Sequence, residues 1–209
     1  MSQRIVVTAT DTDVGKTIFS AALAGALNGT YWKPVQAGLA DGTDSETVLA
    51  LSGLPRDRVL PEAYRLNTPA SPHLAAAIDN VVIDTAQLAP PKSDRRMIIE
   101  GAGGALVPLG GGLLFADMFA RWGLDTVIVA RTTLGTINHS LMTIEALRAR
   151  KVPLLGIAFV GDANEDSEHT ITAIGHVKRL GRLPRLDPLD HDSLAAAFRE
   201  NFSLSDFGG

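Results

Sequence analysis

Residues Ile5 to Thr17, Ile-Val-Val-Thr-Ala-Thr-Asp-Thr-Asp-Val-Gly-Lys-Thr, constrain the fold more tightly than any other stretch. The apolar run Ile5-Val6-Val7 reads as a buried strand and stops at a short polar turn that closes on Gly15-Lys16-Thr17. The Ala- and Leu-rich segment after it carries apolar residues at helical spacing. Strand, tight loop and helix are the context in which Gly-Lys-Thr is a phosphate-binding loop and not a chance tripeptide. Successive backbone N–H groups across Asp13, Val14, Gly15, Lys16, Thr17 and Ile18 then point at one spot, where the helix dipole favours an anion. Lys16 would neutralise β- and γ-phosphates, and the Thr17 hydroxyl would hold Mg²⁺. One position departs from the pattern G-x-x-x-x-G-K-[ST]: Thr10 stands where its first glycine belongs. The bland alternative is a capped helix start with an exposed lysine, Thr12 or Asp13 serving as the cap. The loop speaks for a nucleotide and is silent about the reaction.

Short apolar runs suited to buried strands recur at Ile5–Thr8, Tyr31–Val35, Met97–Glu100, Thr126–Ala130, Leu154–Val160 and, more weakly, Arg179–Leu183. Between them the spacing predicts helices over Lys16–Leu27, Asp44–Leu51, His73–Ile78, Phe115–Trp122, Asn138–Arg150, Ser167–Val177 and Ser193–Glu200. Strands apolar on both faces and alternating with helices predict an α/β fold. Its parallel sheet is flanked by helices on both faces, as in P-loop NTPases. Pro90-Pro91-Lys92-Ser93-Asp94 reads as a surface loop and not a linker, so residues 1–209 are expected to form a single domain.

Ligands of such sheets sit beyond the carboxyl ends of the strands, so the polar residues there are where chemistry is sought. The second run ends in Trp32-Lys33-Pro34-Val35. An unpaired ammonium is costly inside a buried strand, so Lys33 either snorkels to solvent or faces an anion. Asp41-Gly42-Thr43-Asp44-Ser45-Glu46 reads as a helix N-cap through Thr43 or Asp44, as a carboxylate aimed at Mg²⁺, or as both. The third strand ends in Glu100, followed by Gly101-Ala102-Gly103-Gly104. An acid at a strand end is the layout of the second metal-contacting element in phosphate-loop nucleotidases, and glycines let backbone approach a ligand closely. After the fourth strand, Gly135-Thr136-Ile137-Asn138 opens a helix that is either a second anion-ready N-terminus or an ordinary cap.

Composition narrows the function classes. The 209 residues carry a net charge of −4 with no basic block, which speaks against a nucleic-acid partner. There is no cysteine, hence no disulfide framework, thiol nucleophile or Cys-based metal site. The five histidines show no metal spacing. The first strand begins within a few residues of Met1 and no apolar run approaches the roughly 20 residues of a membrane helix. The expectation is a soluble cytoplasmic protein without a membrane partner.

At these residues the chain resembles the dethiobiotin synthetase family. The matching runs are Thr8–Thr17, Lys33-Pro-Val-Gln-Ala-Gly38, Ser71-Pro-His73, Glu100-Gly-Ala-Gly-Gly104, Leu134-Gly-Thr-Ile-Asn-His139 and Gly181-Arg-Leu-Pro184. They come in the family's order and reach into the last quarter of the chain. The resemblance implies a cyclo-ligase that joins CO₂ to 7,8-diaminononanoate, closes a cyclic urea and converts ATP to ADP and phosphate through a carbamate and its phosphoric anhydride. It also implies roles. Lys16 and the loop amides hold phosphates, Thr17, Asp44 and Glu100 surround Mg²⁺, and Lys33 stabilises the carbamate and the γ-oxygens. Thr12 and Ala37 lie beside the diamine, and Gly101, Ala102 and Gly103 lie beside the nucleotide. Family members are homodimers, so Gly135, Thr136, Ile137 and Asn138 would receive the substrate carboxylate from the partner subunit, with Leu134 and Ile137 as an apolar wall for the alkyl chain.

Three departures from the family qualify these expectations. Ala9 replaces a usual glycine at the loop entry, and Ala37 stands where the family tends to carry a hydroxyl. Near the fifth strand's end the family usually reads adenine with an Asn, whereas this chain has Ile157-Ala-Phe-Val-Gly-Asp162. Base recognition would then fall to backbone groups of Val160, Gly161 and Asp162 and of Pro184, Arg185 and Leu186, with looser selectivity among nucleoside triphosphates. His169 stands where the family places a substrate-contacting Tyr. Two rival readings are a partition or septum-positioning ATPase and a non-catalytic nucleotide-binding module. The first wants an extra lysine in the loop, and none lies between Thr8 and Val14. The second would have no use for an intact Lys16, Thr17, Lys33, Asp44 and Glu100.

Overall fold

The computed structural model describes residues 3–208. Strand β1 (Arg4–Ala9) leads into α1 (Lys16–Ala26), β2 (Thr30–Trp32) and β3 (Val35–Ala37) precede α2 (Asp44–Leu51), and β4 (Val59–Leu60) and β5 (Tyr64–Leu66) precede α3 (Pro72–Ile78). Strand β6 (Met97–Glu100) and the short pair β7 (Pro108–Gly110) and β8 (Leu113–Leu114) lead to α4 (Phe115–Trp122). The chain then alternates through β9 (Asp125–Arg131), α5 (Thr136–Ala149), β10 (Leu154–Val160), α6 (Glu165–Gly175), β11 (Arg179–Leu183) and α7 (His191–Asn201).

Among the described residues the main sheet has seven strands in the order β11-β10-β9-β1-β6-β2-β4, with every pairing parallel. Successive strand residues point to opposite faces, so each strand feeds two cores. Ile5, Val7 and Ile98 pack with Phe19 and Leu23 of α1 and Leu194 and Phe198 of α7. Val6, Ile99 and Ile128 pack on the other face with Phe115 and Phe119 of α4 and Ile144 and Leu147 of α5. This two-sided burial is why the strands read as unbroken apolar runs. From β1 the chain crosses over β6 to reach β2, and from β6 it crosses back over β1 to reach β9. The carboxyl ends of β1, β6 and β2 therefore flank the point where strand order reverses, the place where such sheets hold ligands.

The expected strand Tyr31–Val35 is broken. Main-sheet pairing stops at Trp32, and β3 pairs with β5 in a separate two-stranded sheet. Proline has no N–H to offer a ladder and fixes its own φ, so Pro34 ends the strand and Lys33 emerges at its tip. Strands β4, β5, β7 and β8 escape the sequence because two or three residues are too few for a periodic signal. Three helices start two residues earlier than their apolar spacing indicates, because the boundary is set by the residue that caps the helix and not by the first apolar one. Asn164 accepts from Ser167 N at the start of α6, Asp190 accepts from Ser193 N at α7, and Gly135 opens α5. Buried Glu168 ties α6 to β11 by accepting from Arg179 Nε at 2.8 Å with Arg182 Nε at 2.9 Å. Among the described residues no helix is long and apolar enough to cross a membrane.

Candidate active site

The turn after β1 leaves its helix uncapped. Gly15 is the N-cap of α1 in the left-handed region (φ 88°), and no side chain bonds the first-turn N–H groups. The capping alternative through Thr12 or Asp13 is thereby corrected, since the first-turn donors stay open to a ligand. A side chain at Gly15 would be strained by φ, and its Cβ would stand 2.7 Å from Val160 Cγ1. Thr10 has no positive φ, so the backbone does not need the glycine that the pattern places there. Gly104 passes 3.5 Å from the Ala9 carbonyl when given a notional Cβ, which brings the Gly101–Gly104 run against the loop entry.

Lysine 33 does not snorkel. It is buried, and its ammonium reaches Asp44 Oδ2 and lies 3.0 Å from Glu100 Oε1. The Thr17 hydroxyl stands 2.9 Å from both Asp44 Oδ1 and Glu100 Oε1, with one proton to donate to either. The carboxylates are presented differently. Thr43 caps α2 in a reciprocal box with Glu46, which leaves Asp44 as a first-turn residue free to face Thr17 and Lys33. Gln36 Oε1 accepts from Asp44 N at 3.2 Å, and its Nε2 donates to the Gly38 carbonyl at 3.2 Å, bracing that turn. Glu100 is completely buried, and its second oxygen accepts from the Tyr31 hydroxyl at 3.0 Å.

The charges explain one another. Burial pulls the Lys33 ammonium down, but Glu100 and then Asp44 outweigh it, so its pKa ends above the ordinary lysine value. Burial pushes the Asp44 carboxyl up, yet Lys33 and Thr17 bring it below the usual carboxylate range. Lys16 shifts the other way: burial lowers it first, and the nearby Lys33 ammonium lowers it further. Burial, with Glu100 alongside, holds the Tyr31 phenol well above its ordinary value, so it serves as a donor. Lys33 is matched by Asp44 and Glu100, so the anion-facing charge of the cavity is Lys16 together with the open first-turn N–H groups of α1.

A cavity of about 750 Å³ joins these groups. Thr12, Asp13, Gly15, Lys16, Thr17, Ile18, Lys33, Ala37, Asp44, Ala102 and Gly103 line it, all expected from the sequence. Val14 is packed in the core, Glu100 is buried beneath the cavity, and the Gly101 carbonyl lies 3.5 Å from Lys33 Nζ. The apolar wall within this chain comes from Pro69, Ala70, Pro72 and Val107, of which only Pro72, in the run Ser71-Pro-His73, falls in a stretch that the sequence singled out. Leu134 is instead fully exposed and Ile137 packs against the core. Gly135, Thr136, Ile137 and Asn138 form the start of α5 and line no part of this cavity. The Thr136 hydroxyl donates to the Arg131 carbonyl at 2.5 Å. Val160 covers Gly15, and Gly161 N donates to Leu183 O at 3.0 Å, which places Gly161 beside Pro184, Arg185 and Leu186. Arg185 Nε and Asp162 Oδ2 meet at 3.5 Å across the two loops. His169 is exposed on α6 and does not line the cavity. Tyr31 and Gln36 were missed as site residues; the available signal was a buried-strand Tyr or Gln, whose polar end needs a partner.

Known proteins resemble this chain in sequence and in fold. Residues 3–193 match the family model described as AAA domain. ATP-dependent dethiobiotin synthetase BioD of Rhizorhabdus wittichii is 76% identical over 99% of both chains, and that of Rhodopseudomonas palustris is 63% identical over 99% of this chain and 97% of its own. Among solved structures, the MinC:MinD cell division protein complex of Aquifex aeolicus gives a TM-score of 0.57 at 14% identity, covering 94% of this chain and 86% of that one, a likeness of fold alone. With a phosphate loop, a buried lysine and two carboxylates meeting at the strand ends, and full-length relatives this close, the chain belongs to the dethiobiotin synthetase family.

Proposed function

We propose that this chain carries out the reaction that its relatives' name describes, closing the cyclic urea of dethiobiotin from 7,8-diaminononanoate and CO₂ at the expense of ATP. The single observation that carries the reading is the juxtaposition of Lys33 with Thr17, Asp44 and Glu100 in the cavity that the phosphate loop opens onto. In this reading the open N–H groups from Asp13 to Ile18 and the Lys16 ammonium hold the triphosphate. Thr17, Asp44 and Glu100 form an all-oxygen donor set suited to Mg²⁺, a hard cation that shares its shell with phosphate oxygens. When bound, Mg²⁺ neutralises charge on the β- and γ-oxygens.

One amine takes up CO₂ as a carbamate and releases a proton. A carbamate oxygen then attacks the γ-phosphorus while ADP leaves, and the second amine attacks the carbamate carbon, displacing phosphate and losing one proton as the ring closes. Lys33 is suited to stabilise charge on the carbamate and γ-oxygens because its pKa lies above the ordinary value and it stays cationic. Thr12 and Ala37 border the space for the diamine, and Pro69, Ala70, Pro72 and Val107 suit its alkyl chain. Val160, Gly161 and Pro184–Leu186 are suited to meet the base through backbone groups. A homodimer would bring Gly135–Asn138 of the partner subunit to the substrate carboxylate; exposed Leu134 and Met142 give such an interface apolar surface. Phosphate release from ATP tests the reading: it should require both the diamine and bicarbonate, and release independent of either would overturn it.

A further inference from the structure

Tyr31 stands outside the roles given so far, yet its hydroxyl is committed to the same carboxylate. The ring is fully buried in the core between β1, β6 and α1, with Ile5, Phe19 and Ile98 in the same cluster. In the sheet, Tyr31 pairs in register with Ile98, and Glu100 lies two residues further along the same face of β6. The packed ring therefore fixes its hydroxyl at 3.0 Å from Glu100 Oε2. The other oxygen, Oε1, faces Thr17 and Lys33 at 2.9 and 3.0 Å. The two oxygens of Glu100 are thus divided between the core tyrosine and the cavity-lining Thr17 and Lys33.

We propose that Tyr31 is a positioning residue that restricts Glu100 to offering one oxygen to the cavity and thereby makes the site selective for Mg²⁺ over Ca²⁺. This rests on the reading of Glu100 as part of the magnesium-holding set. Mg²⁺ takes six ligands in near-ideal octahedral geometry, whereas Ca²⁺ takes six to eight and readily accepts both oxygens of one carboxylate. A carboxylate pinned by its far oxygen suits the first ion and handicaps the second. Partners that orient metal ligands in this way typically contribute about 10–100-fold in metal affinity.

The test is metal binding, not turnover. Mg²⁺ and Ca²⁺ are titrated by calorimetry into full-length protein saturated with ADP, comparing wild type with Tyr31→Phe, which keeps the ring. The expected result is a Mg²⁺ dissociation constant raised about tenfold, with Ca²⁺ binding changed by less than about threefold, so that the Mg²⁺/Ca²⁺ preference shrinks. A merely structural tyrosine would weaken both ions together; an unchanged preference overturns the proposal. Should the single variant not fold because Glu100 Oε2 is left buried without a donor, the pair Glu100→Gln and Tyr31→Phe/Glu100→Gln decides. Equal preferences in those two support action through Glu100, and a further loss in the double variant overturns it. Wild-type phosphate release that ignores the diamine would sink the ligase reading without altering this comparison.

Discussion

The Lys33 ammonium lies 3.0 Å from Glu100 Oε1 although 67 residues separate them in the chain. Both side chains are buried, and the Glu100 carboxylate is the largest influence that offsets the effect of burial on the Lys33 ammonium. Lys33→Gln should lower diamine-dependent turnover by about a thousandfold or more while leaving ADP affinity within a few-fold, since the phosphates rest on the loop and Lys16. It should also destabilise the protein by roughly 3 kcal/mol, because two carboxylates lose their cation. Turnover and urea denaturation measured on one preparation check both, and retained turnover would remove Lys33 from the chemistry.

Ala37 borders the cavity where the family tends to carry a hydroxyl. Replacing it by Ser should add one hydrogen bond to a reacting group, about 1 kcal/mol or roughly fivefold in kcat/KM for the diamine. Steady-state kinetics at saturating ATP would reveal it, and a neutral or harmful effect would show that the alanine is accommodated by other contacts.

The end of β10 supplies Val160 and Gly161, with no side-chain amide to read a base. With base contacts left to backbone groups there, discrimination is expected to be weak, so kcat/KM for ATP, GTP and CTP should fall within about tenfold of one another. Activity confined to ATP would end this expectation.

Acid should unfold the protein partly through Asp44 and Asp117. Lys33 and Thr17 hold the Asp44 carboxyl below its ordinary value against the effect of burial; the Leu114 N–H, then Arg150, does so for Asp117. A carboxyl depressed in the folded state contributes stability above the unfolded pKa of about 3.9, which is lost as pH falls through the folded value. Lys33 has the opposite sign: raised when folded, its contribution is complete below about 10.4 and is lost as pH climbs through the folded pKa. Melting temperatures from pH 6 to pH 2.5 should therefore fall less steeply for Asp117→Asn than for wild type, and parallel curves would refute the assignment.

Much of this protein was already present in one dimension. The phosphate loop is contiguous: an apolar strand, a turn and an Ala-rich helix are all set by local periodicity and by glycine's access to positive φ, as Gly15 bears out. The alternation of buried strands with helices likewise announces a parallel sheet, because strands covered on both faces can be nothing but apolar. Lys33 and Glu100 were legible as oddities, charges placed at the ends of apolar runs, where solitary burial would be prohibitive.

Partnership was left to tertiary structure. Whether Lys33 faced solvent or an anion depended on β6 entering the sheet between β1 and β2, which sets Glu100 beside β2. The same insertion brings Tyr31 beneath that carboxylate, and the cap at Thr43 turns Asp44 toward Thr17. Each of these contacts joins residues distant in sequence. Periodicity records only how a segment meets water and its own backbone; which polar group a buried side chain meets is decided by the order in which the strands pack.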